Sequence, residues 1–220
     1  MDEKLSGSYY TPQKTVHFIY NYLQQQHKPI KSILEPSAGD GRFIRLFSKS
    51  NSVDNIVGVE LYQEKVQAIN ERILSPKVTM IAADFLEYSS TCKAKFDLVV
   101  GNPPYINIKN MDKKFLEAAR SLCQSLNLPE SLIQNAWVAF VIVATQLLSK
   151  TGTALIPGAA LTAAGVSVAK ETKMTAPDLS VTDPDLVAIR ERFLKKDVPA
   201  HTSALTERER FLVQITTLTT

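Results

Sequence analysis

An apolar run followed by a rigid polar turn decides the fold: Phe96-Asp97-Leu98-Val99-Val100-Gly101-Asn102-Pro103-Pro104-Tyr105. The run predicts a buried strand, and the two prolines must end it, because proline lacks a ladder N–H and fixes φ near −65°. The turn therefore follows a strand's carboxyl end, where open α/β sheets bind their ligands. Asn102 Oδ1 and the Pro103 carbonyl can accept hydrogen bonds from a planar amine, and the Tyr105 ring can stack on it. An exocyclic amine of a nucleobase is such a group.

Further strands and helices are predicted to alternate along the chain on both sides of this stretch. Strands are predicted at 31–35, 56–60, 78–82 and 153–156. Helices are predicted from the pattern over 16–23, with Pro12 near its start, from 43 onward, and at 63–74 and 131–149. Alternation of this kind predicts crossover connections and a mostly parallel, doubly wound α/β sheet. We predict one domain over residues 1–157 and an irregular segment over 158–220 that could complete the sheet. Within that segment, 185–196 is predicted as a helix and 211–218 as a strand.

Composition and charge exclude few classes of protein. The 220 residues carry a net charge of +3, which permits a polyanionic partner without requiring one. The most apolar stretch, Ala136–Leu148, is too short to span a bilayer, so no membrane association is expected. Cys92 and Cys123 lack metal-ligand spacing and fit a cytoplasmic protein. The three histidines are scattered, and no metal site is predicted; they are His17, His27 and His201.

Residues suited to binding a nucleoside follow three of the other predicted strands. After the first strand, Glu35-Pro36-Ser37-Ala38-Gly39-Asp40-Gly41 is a turn whose glycines let backbone approach a ligand. Glu60 ends the second strand, where an acid can reach ribose hydroxyls, and Leu61 beside it can pack on an adenine face. Asp84 follows the third strand and can accept from an adenine amine. Each feature alone is common as a cap or a tight turn, but together at successive strand ends they predict a cofactor site.

At these residues, and over roughly 7–157, the chain resembles the S-adenosylmethionine-dependent N6-adenine DNA methyltransferases. Asn102-Pro103-Pro104-Tyr105 looks like the family's catalytic motif, and Glu35–Phe43 looks like its first cofactor motif. Tyr9-Tyr10-Thr11-Pro12 resembles the element that touches the cofactor's methionine end. Glu60 is similar to the ribose-binding acid, and Asp84-Phe85 to the adenine-contacting pair. The resemblance implies these cofactor-binding residues: Tyr10, Thr11, Glu35, Pro36, Ala38, Gly39, Gly41, Glu60, Leu61, Asp84, Phe85 and Asn102.

The resemblance implies a Rossmann-like class I methyltransferase fold and methyl transfer to N6 of adenine in DNA. The target base would leave the duplex before reaction. The order of the motifs is similar to the gamma arrangement, in which a recognition domain follows the catalytic one. A role in a restriction-modification system is expected, and a recognition or nuclease subunit could act as a partner.

Two alternatives stay open at the level of sequence. An Asn-Pro-Pro-Tyr turn would equally suit a side-chain amide, so the substrate could be a protein glutamine or an adenine of RNA. Tyr9-Tyr10-Thr11-Pro12 and the form of the first motif favour DNA. A second alternative is a truncated methyltransferase domain without activity. It is motivated by residues 158–220, which show no resemblance to a part of this family.

Overall fold

The computed structural model describes residues 10–26 and 28–156, together with the backbone of 159–162. The strands are β1 (Ser32–Glu35), β2 (Asn55–Glu60), β3 (Val78–Ala82), β4 (Phe96–Val100), β5 (Leu148–Ile156) and β6 (Ala159–Thr162). The α-helices are α1 (Gln13–Gln25), α2 (Arg42–Phe47), α3 (Gln63–Arg72), α4 (Phe85–Thr91), α5 (Lys113–Ser125) and α6 (Ala136–Leu147).

The six strands form one sheet in the order β3-β2-β1-β4-β5-β6. The first five are parallel, since β1 pairs with β2 and β4, β2 pairs with β3, and β4 pairs with β5. The last strand, β6, turns back and pairs antiparallel with β5. The mostly parallel, doubly wound sheet that the sequence predicts is therefore confirmed. Strand β6 lies in the segment 158–220, and the sequence analysis predicts no element at its four residues.

Helices cover both faces of the sheet because successive strand residues point to opposite sides. In β1, Ile33 belongs to the core cluster under α1, α2 and α3, whereas Leu34 belongs to the cluster under α4, α5 and α6. Both side chains are almost completely buried. On α1, the buried residues Val16, Ile19 and Leu23 recur at helical spacing and form the face that meets the sheet. The two cores hold β1, β2, β3 and β4 in one parallel sheet, so the polar residues at their carboxyl ends lie along the same edge.

The structure corrects the helix predicted over 131–149. That stretch holds a 3₁₀ turn at Glu130–Leu132, and α6 begins only at Ala136, where the Asn135 side chain accepts a hydrogen bond from the Trp137 N–H. Helix α6 ends at Leu147 because the chain passes directly into β5, which is longer than predicted and has a register irregularity opposite Phe96. Helices α4 and α5 lie where the sequence analysis assigns no element.

Several predictions from sequence fall outside the described residues. They are the helix at 185–196, the strand at 211–218, His27 and His201. In the part of the chain that the structure describes, no helix combines the length and the apolar character that crossing a membrane requires. The same described residues contain no group of three or more His, Cys, Asp or Glu side chains that could hold a metal ion.

Candidate functional site

The candidate site lies where the sheet changes its winding direction. Strands β1 and β4 are neighbours, yet β2 and β3 follow β1 on one side and β5 follows β4 on the other. Adjacent parallel strands that lead away in opposite directions leave a crevice between the loops at their carboxyl ends. The loops concerned are the turn at 36–41, after β1, and the turn at 101–105, after β4.

The turn at 36–41, which we call the glycine turn, has the backbone that only its two glycines accept easily. Gly39 and Gly41 adopt φ values of +58° and +74°, in the left-handed region. The Ala38 N–H donates to the Val59 carbonyl over 2.9 Å, and the Gly41 N–H donates to the Ala38 carbonyl over 2.8 Å. The turn is therefore closed on itself and fastened to β2.

The glycine turn and the Asn-Pro-Pro-Tyr turn are in direct contact. The Ser37 hydroxyl donates to the Asn102 backbone carbonyl over 3.2 Å. Gly101 allows the two turns to approach, because a Cβ at this position would lie 3.1 Å from Pro36 Cδ. The residues predicted to bind the cofactor and those predicted to act on the substrate are thus brought to one place by the fold.

Around the Asn-Pro-Pro-Tyr turn, burial differs from residue to residue. Pro103 is buried, and Asn102, Pro104 and Tyr105 are half-buried. The Oδ1 atom of Asn102 is itself shielded from solvent. Burial raises the pKa of Tyr105 to about 12, so the phenol stays protonated and neutral at physiological pH. A neutral ring is the state that stacking on a base requires.

The chain beyond this turn is fastened to the start of α6. The Ile106 carbonyl accepts from the Ala136 N–H over 2.9 Å, and the Ile108 N–H donates to the Gln134 carbonyl over 3.0 Å. These bonds, with the contact to Ser37 on the other side, hold the turn from both ends. A turn held in this way keeps its polar groups in position before any ligand arrives.

Glu60 links the end of β2 to the glycine turn. Its carboxylate accepts from the Gly39 N–H over 2.8 Å and from the Tyr62 N–H over 3.2 Å, and Lys65 Nζ lies 4.0 Å away. Only 6% of the residue is exposed. A carboxylate has about four lone-pair sites, so these bonds leave acceptor capacity. That Glu60 binds ribose hydroxyls stays a prediction.

The other predicted adenine contacts have contrasting surroundings. Leu61, directly after Glu60, is 58% exposed. The Asp84 carboxylate caps α4 by accepting from the Leu86 and Glu87 N–H groups. Phe85 is buried in the core and stacks on Phe140 with ring centroids 5.0 Å apart. Contact of the cofactor with Leu61, Asp84 and Phe85 stays a prediction, and the local packing leaves Leu61 the most accessible of the three.

Glu35, at the end of β1, is a buried carboxyl group at the centre of the site. Only 2% of it is exposed, and its Oε2 has no hydrogen-bond partner among the described residues. Burial raises the pKa of Glu35 well above its ordinary value, and the nearby Asp40 and Glu60 add to the rise. A hydrogen bond from the Ile44 N–H and the charge of Arg42 oppose it less strongly. Glu35 therefore favours its neutral, protonated form more than a free glutamate does.

The raised pKa predicts that Glu35→Gln changes how stability depends on pH. Because the folded state holds this proton more tightly than the unfolded chain, the stability of the wild type should fall as pH rises above about 4.5 and level off above the folded pKa. Removing the titrating group should remove this decline, so the wild-type stability relative to Glu35→Gln should decrease with pH. Urea unfolding at intervals from pH 4 to 9 measures it, and parallel curves for the two proteins would contradict the prediction.

The predicted methionine-end element lies against the glycine turn. A Cβ on Gly39 would be 3.2 Å from the Tyr10 ring, so this ring covers the turn. Thr11 is 6% exposed, and its Oγ1 has no hydrogen-bond partner among the described residues. The Arg42 guanidinium lies 5.3 Å from the centroid of the Tyr10 ring and donates to the Thr11 carbonyl.

Sequence reasoning missed several residues that shape this site. Arg42 directly follows the second glycine of the turn, and Lys65 Nζ lies 5.8 Å and 4.9 Å from the ring centroids of Tyr10 and Tyr62. The sequence indicates nothing about Ser37 beyond its place in the glycine turn. The only sequence indication for these residues is that they lie in or near the predicted cofactor motifs. An isolated Ser, Lys or Arg does not predict which distant backbone group or aromatic ring it will contact.

A cavity of about 220 Å³ lies away from this site, at the amino ends of β1 and β2. It is lined by Leu23, Gln24, Lys28, Pro29, Ile30 and Ser52. None of the predicted site residues lines it.

Fold and site together define the class of protein. A solved structure with a similar fold is a putative class I S-adenosylmethionine-dependent methyltransferase from Listeria monocytogenes, with a TM-score of 0.52 and 18% sequence identity. The match covers 84% of this chain and 51% of that chain. At this identity the likeness concerns the fold, which is the Rossmann-like class I methyltransferase fold.

Sequence comparison then assigns the family. The profile of the Eco57I restriction-modification methylase family matches residues 23–174, more than half of the chain, and the chain belongs to that family. The modification methylase CviBIII of Paramecium bursaria Chlorella virus NC1A is 32% identical over 101 residues, which are 46% of this chain and 26% of that protein. The type II methyltransferase M.BstVI of Geobacillus stearothermophilus is 26% identical over 187 residues, 68% of this chain and 33% of that protein. The chain thus spans about a quarter to a third of these relatives.

Proposed function

We propose that this chain is the S-adenosylmethionine-binding, catalytic part of a restriction-modification DNA methyltransferase that methylates adenine at N6. The observation that carries the proposal is the contact between the two turns, in which Ser37 binds the Asn102 carbonyl and Gly101 packs on Pro36. A donor bound at the glycine turn and an amine bound at Asn102 would then be neighbours. Membership of the restriction-modification methylase family supports DNA as the substrate.

The residues of the site suit this cofactor. It carries a cationic methionine end, a ribose and an adenine. The buried oxygens Glu35 Oε2 and Thr11 Oγ1, which have no hydrogen-bond partner among the described residues, can serve the polar methionine end. The Glu60 carboxylate at the end of β2 can serve the ribose, and the exposed Leu61 can cover an adenine face. Domain 1–157 would supply all these groups.

In the proposed mechanism, the chain aligns and polarises an adenine that has left the duplex. S-adenosylmethionine supplies a methyl group that its positive sulfur makes electrophilic. Asn102 Oδ1 and the Pro103 carbonyl accept hydrogen bonds from the two N6–H groups. These bonds favour a pyramidal nitrogen and localise its lone pair. With the cofactor bound, transfer would form the N6–C bond as the methyl–sulfur bond breaks, and the nitrogen would then lose one proton to solvent. Positioning and fixed dipoles provide the catalysis, and the Tyr105 ring compensates in part for lost base stacking.

The proposal is tested by the identity of the methylated product. The full chain is incubated with methyl-labelled S-adenosylmethionine and, separately, unmethylated genomic DNA, RNA and a protein rich in exposed glutamine. We expect label in DNA and N6-methyladenine after nuclease digestion and mass spectrometry. A duplex of alternating dG and dC serves as the control, because it offers no adenine.

Each other outcome contradicts the proposal in a distinct way. Label in RNA or protein but not in DNA would support the alternative substrates. N4-methylcytosine in the dG-dC duplex would show that the turn acts on a different amine. Cofactor binding without transfer to any substrate would favour the interpretation of the chain as an inactive methyltransferase domain.

A further inference from the structure

One arginine beside the glycine turn has no role in the mechanism above. Arg42, the first residue of α2, donates from Nε to both carboxylate oxygens of Asp40 over 2.8 and 3.1 Å. Burial raises the pKa of Asp40, but hydrogen bonds from Arg42 outweigh that effect and hold the pKa below its ordinary value. The pair lies at the surface and is partly shielded, with side-chain exposures of 21% for Arg42 and 35% for Asp40.

Nη2 of the same guanidinium also donates to Asp40 Oδ2 over 2.5 Å, whereas Nη1 reaches a distant part of the chain. Its Nη1 donates to the Thr11 carbonyl, 31 residues earlier in sequence, and its plane lies near the Tyr10 ring. One rigid side chain therefore binds both the middle of the glycine turn and the segment Tyr10–Thr11. Lysine could not do the same, because an ammonium group is a single point charge without the planar fork.

The segment held in this way is positioned over the cofactor site. The Tyr10 ring covers Gly39, and the buried hydroxyl of Thr11, the residue whose carbonyl Arg42 binds, has no hydrogen-bond partner among the described residues. A buried hydroxyl has lost its hydration, and this costs free energy unless a hydrogen bond compensates for it. A bound ligand could supply that hydrogen bond. The segment therefore behaves as one wall of a binding crevice.

We propose that Arg42 is a positioning residue for the cofactor: it seats Tyr10–Thr11 against the glycine turn and so completes the crevice. The inference rests on the proposed function for the identity of the ligand. Arg42 itself need not touch the cofactor, and its effect passes through the segment that it holds.

Arg45 provides a matched control on the same helix. It lies one turn further along α2, and its contact is with the Gln13 side chain, over 3.3 Å at the surface. Arg42→Lys and Arg45→Lys therefore make the same chemical change in the same short helix. Only the first removes the fork that joins Asp40 to Thr11.

The test is a double-mutant cycle on cofactor affinity, measured by calorimetric titration of the full chain with S-adenosylmethionine. Arg42→Lys and Tyr10→Ala should each raise the dissociation constant by about tenfold, the effect of losing one hydrogen bond to a charged group. The double variant should be no weaker than the weaker single variant, since both changes release the same segment. Arg45→Lys should bind like the wild type.

The outcomes separate this inference from the proposed function. A wild type that does not bind S-adenosylmethionine refutes the proposed function. A wild type that binds, with losses that multiply in the double variant or with an equal loss in Arg45→Lys, overturns the positioning role. If Arg42→Lys does not fold, Tyr10→Ala decides, and unchanged affinity in that variant overturns the inference.

Discussion

Replacing Asn102 by alanine is expected to lower methyl transfer by about 10²–10³-fold, the range found when one preorganised polar group is removed from an active site. Affinity for S-adenosylmethionine should stay close to that of the wild type. The reason is that the proposed task of Oδ1 concerns the target amine, whereas the contact with the glycine turn is made by the backbone carbonyl of Asn102. Alanine keeps that carbonyl in place. Single-turnover transfer and calorimetric titration measure the two quantities separately.

Two companion variants sharpen the Asn102 prediction. Asn102→Asp keeps an acceptor at the same point and should retain more transfer than alanine does. Asn110→Ala removes an exposed asparagine from the same loop and should leave transfer unchanged. Wild-type turnover in Asn102→Ala would refute the acceptor role, and a large loss of cofactor affinity would mean that the substitution acts through the shape of the turn.

The strands and their polar ends were predictable because they depend on local sequence. Apolar runs mark β1, β2, β3 and β4, and glycine or proline ends two of them, so the parallel sheet and the edge that carries Glu35, Glu60 and Asn102 follow from patterns within each segment. The alternation of buried faces, as between Ile33 and Leu34, agrees with this local origin.

The remaining features depend on contacts between distant segments. Helix α6 is apolar all round, so its pattern could not show where it starts; the Asn135 cap and a direct passage into β5 set its ends. The ion pair of Arg42 with Asp40 is local in sequence. The hydrogen bond from Arg42 to the Thr11 carbonyl spans 31 residues and forms only when the chain folds. Asp84 is another example, because a carboxylate at this position can cap a helix, contact a ligand or do both. The sequence alone does not distinguish these roles, and the structure shows the helix cap.

Replacing Gly41 by valine is expected to lower the free energy of unfolding and to abolish measurable cofactor binding. The residue has a φ of +74°, where a side chain costs about 1–2 kcal/mol. A Cβ here would also lie 3.0 Å from Cγ1 of Ile69, a buried residue of α3, and overpacking of a core costs about 1–3 kcal/mol. A total of about 2–5 kcal/mol should appear in urea unfolding.

Gly41→Asn separates the two causes, because asparagine tolerates the left-handed region yet brings a Cβ to the same point against Ile69. If backbone strain dominates, Asn should be clearly more stable than Val and should keep part of the affinity for S-adenosylmethionine. Equal destabilisation by both would assign the effect to the contact with α3. Full affinity in Gly41→Val would contradict the view that the cofactor depends on this backbone, since the backbone strain cannot be relieved without moving the turn.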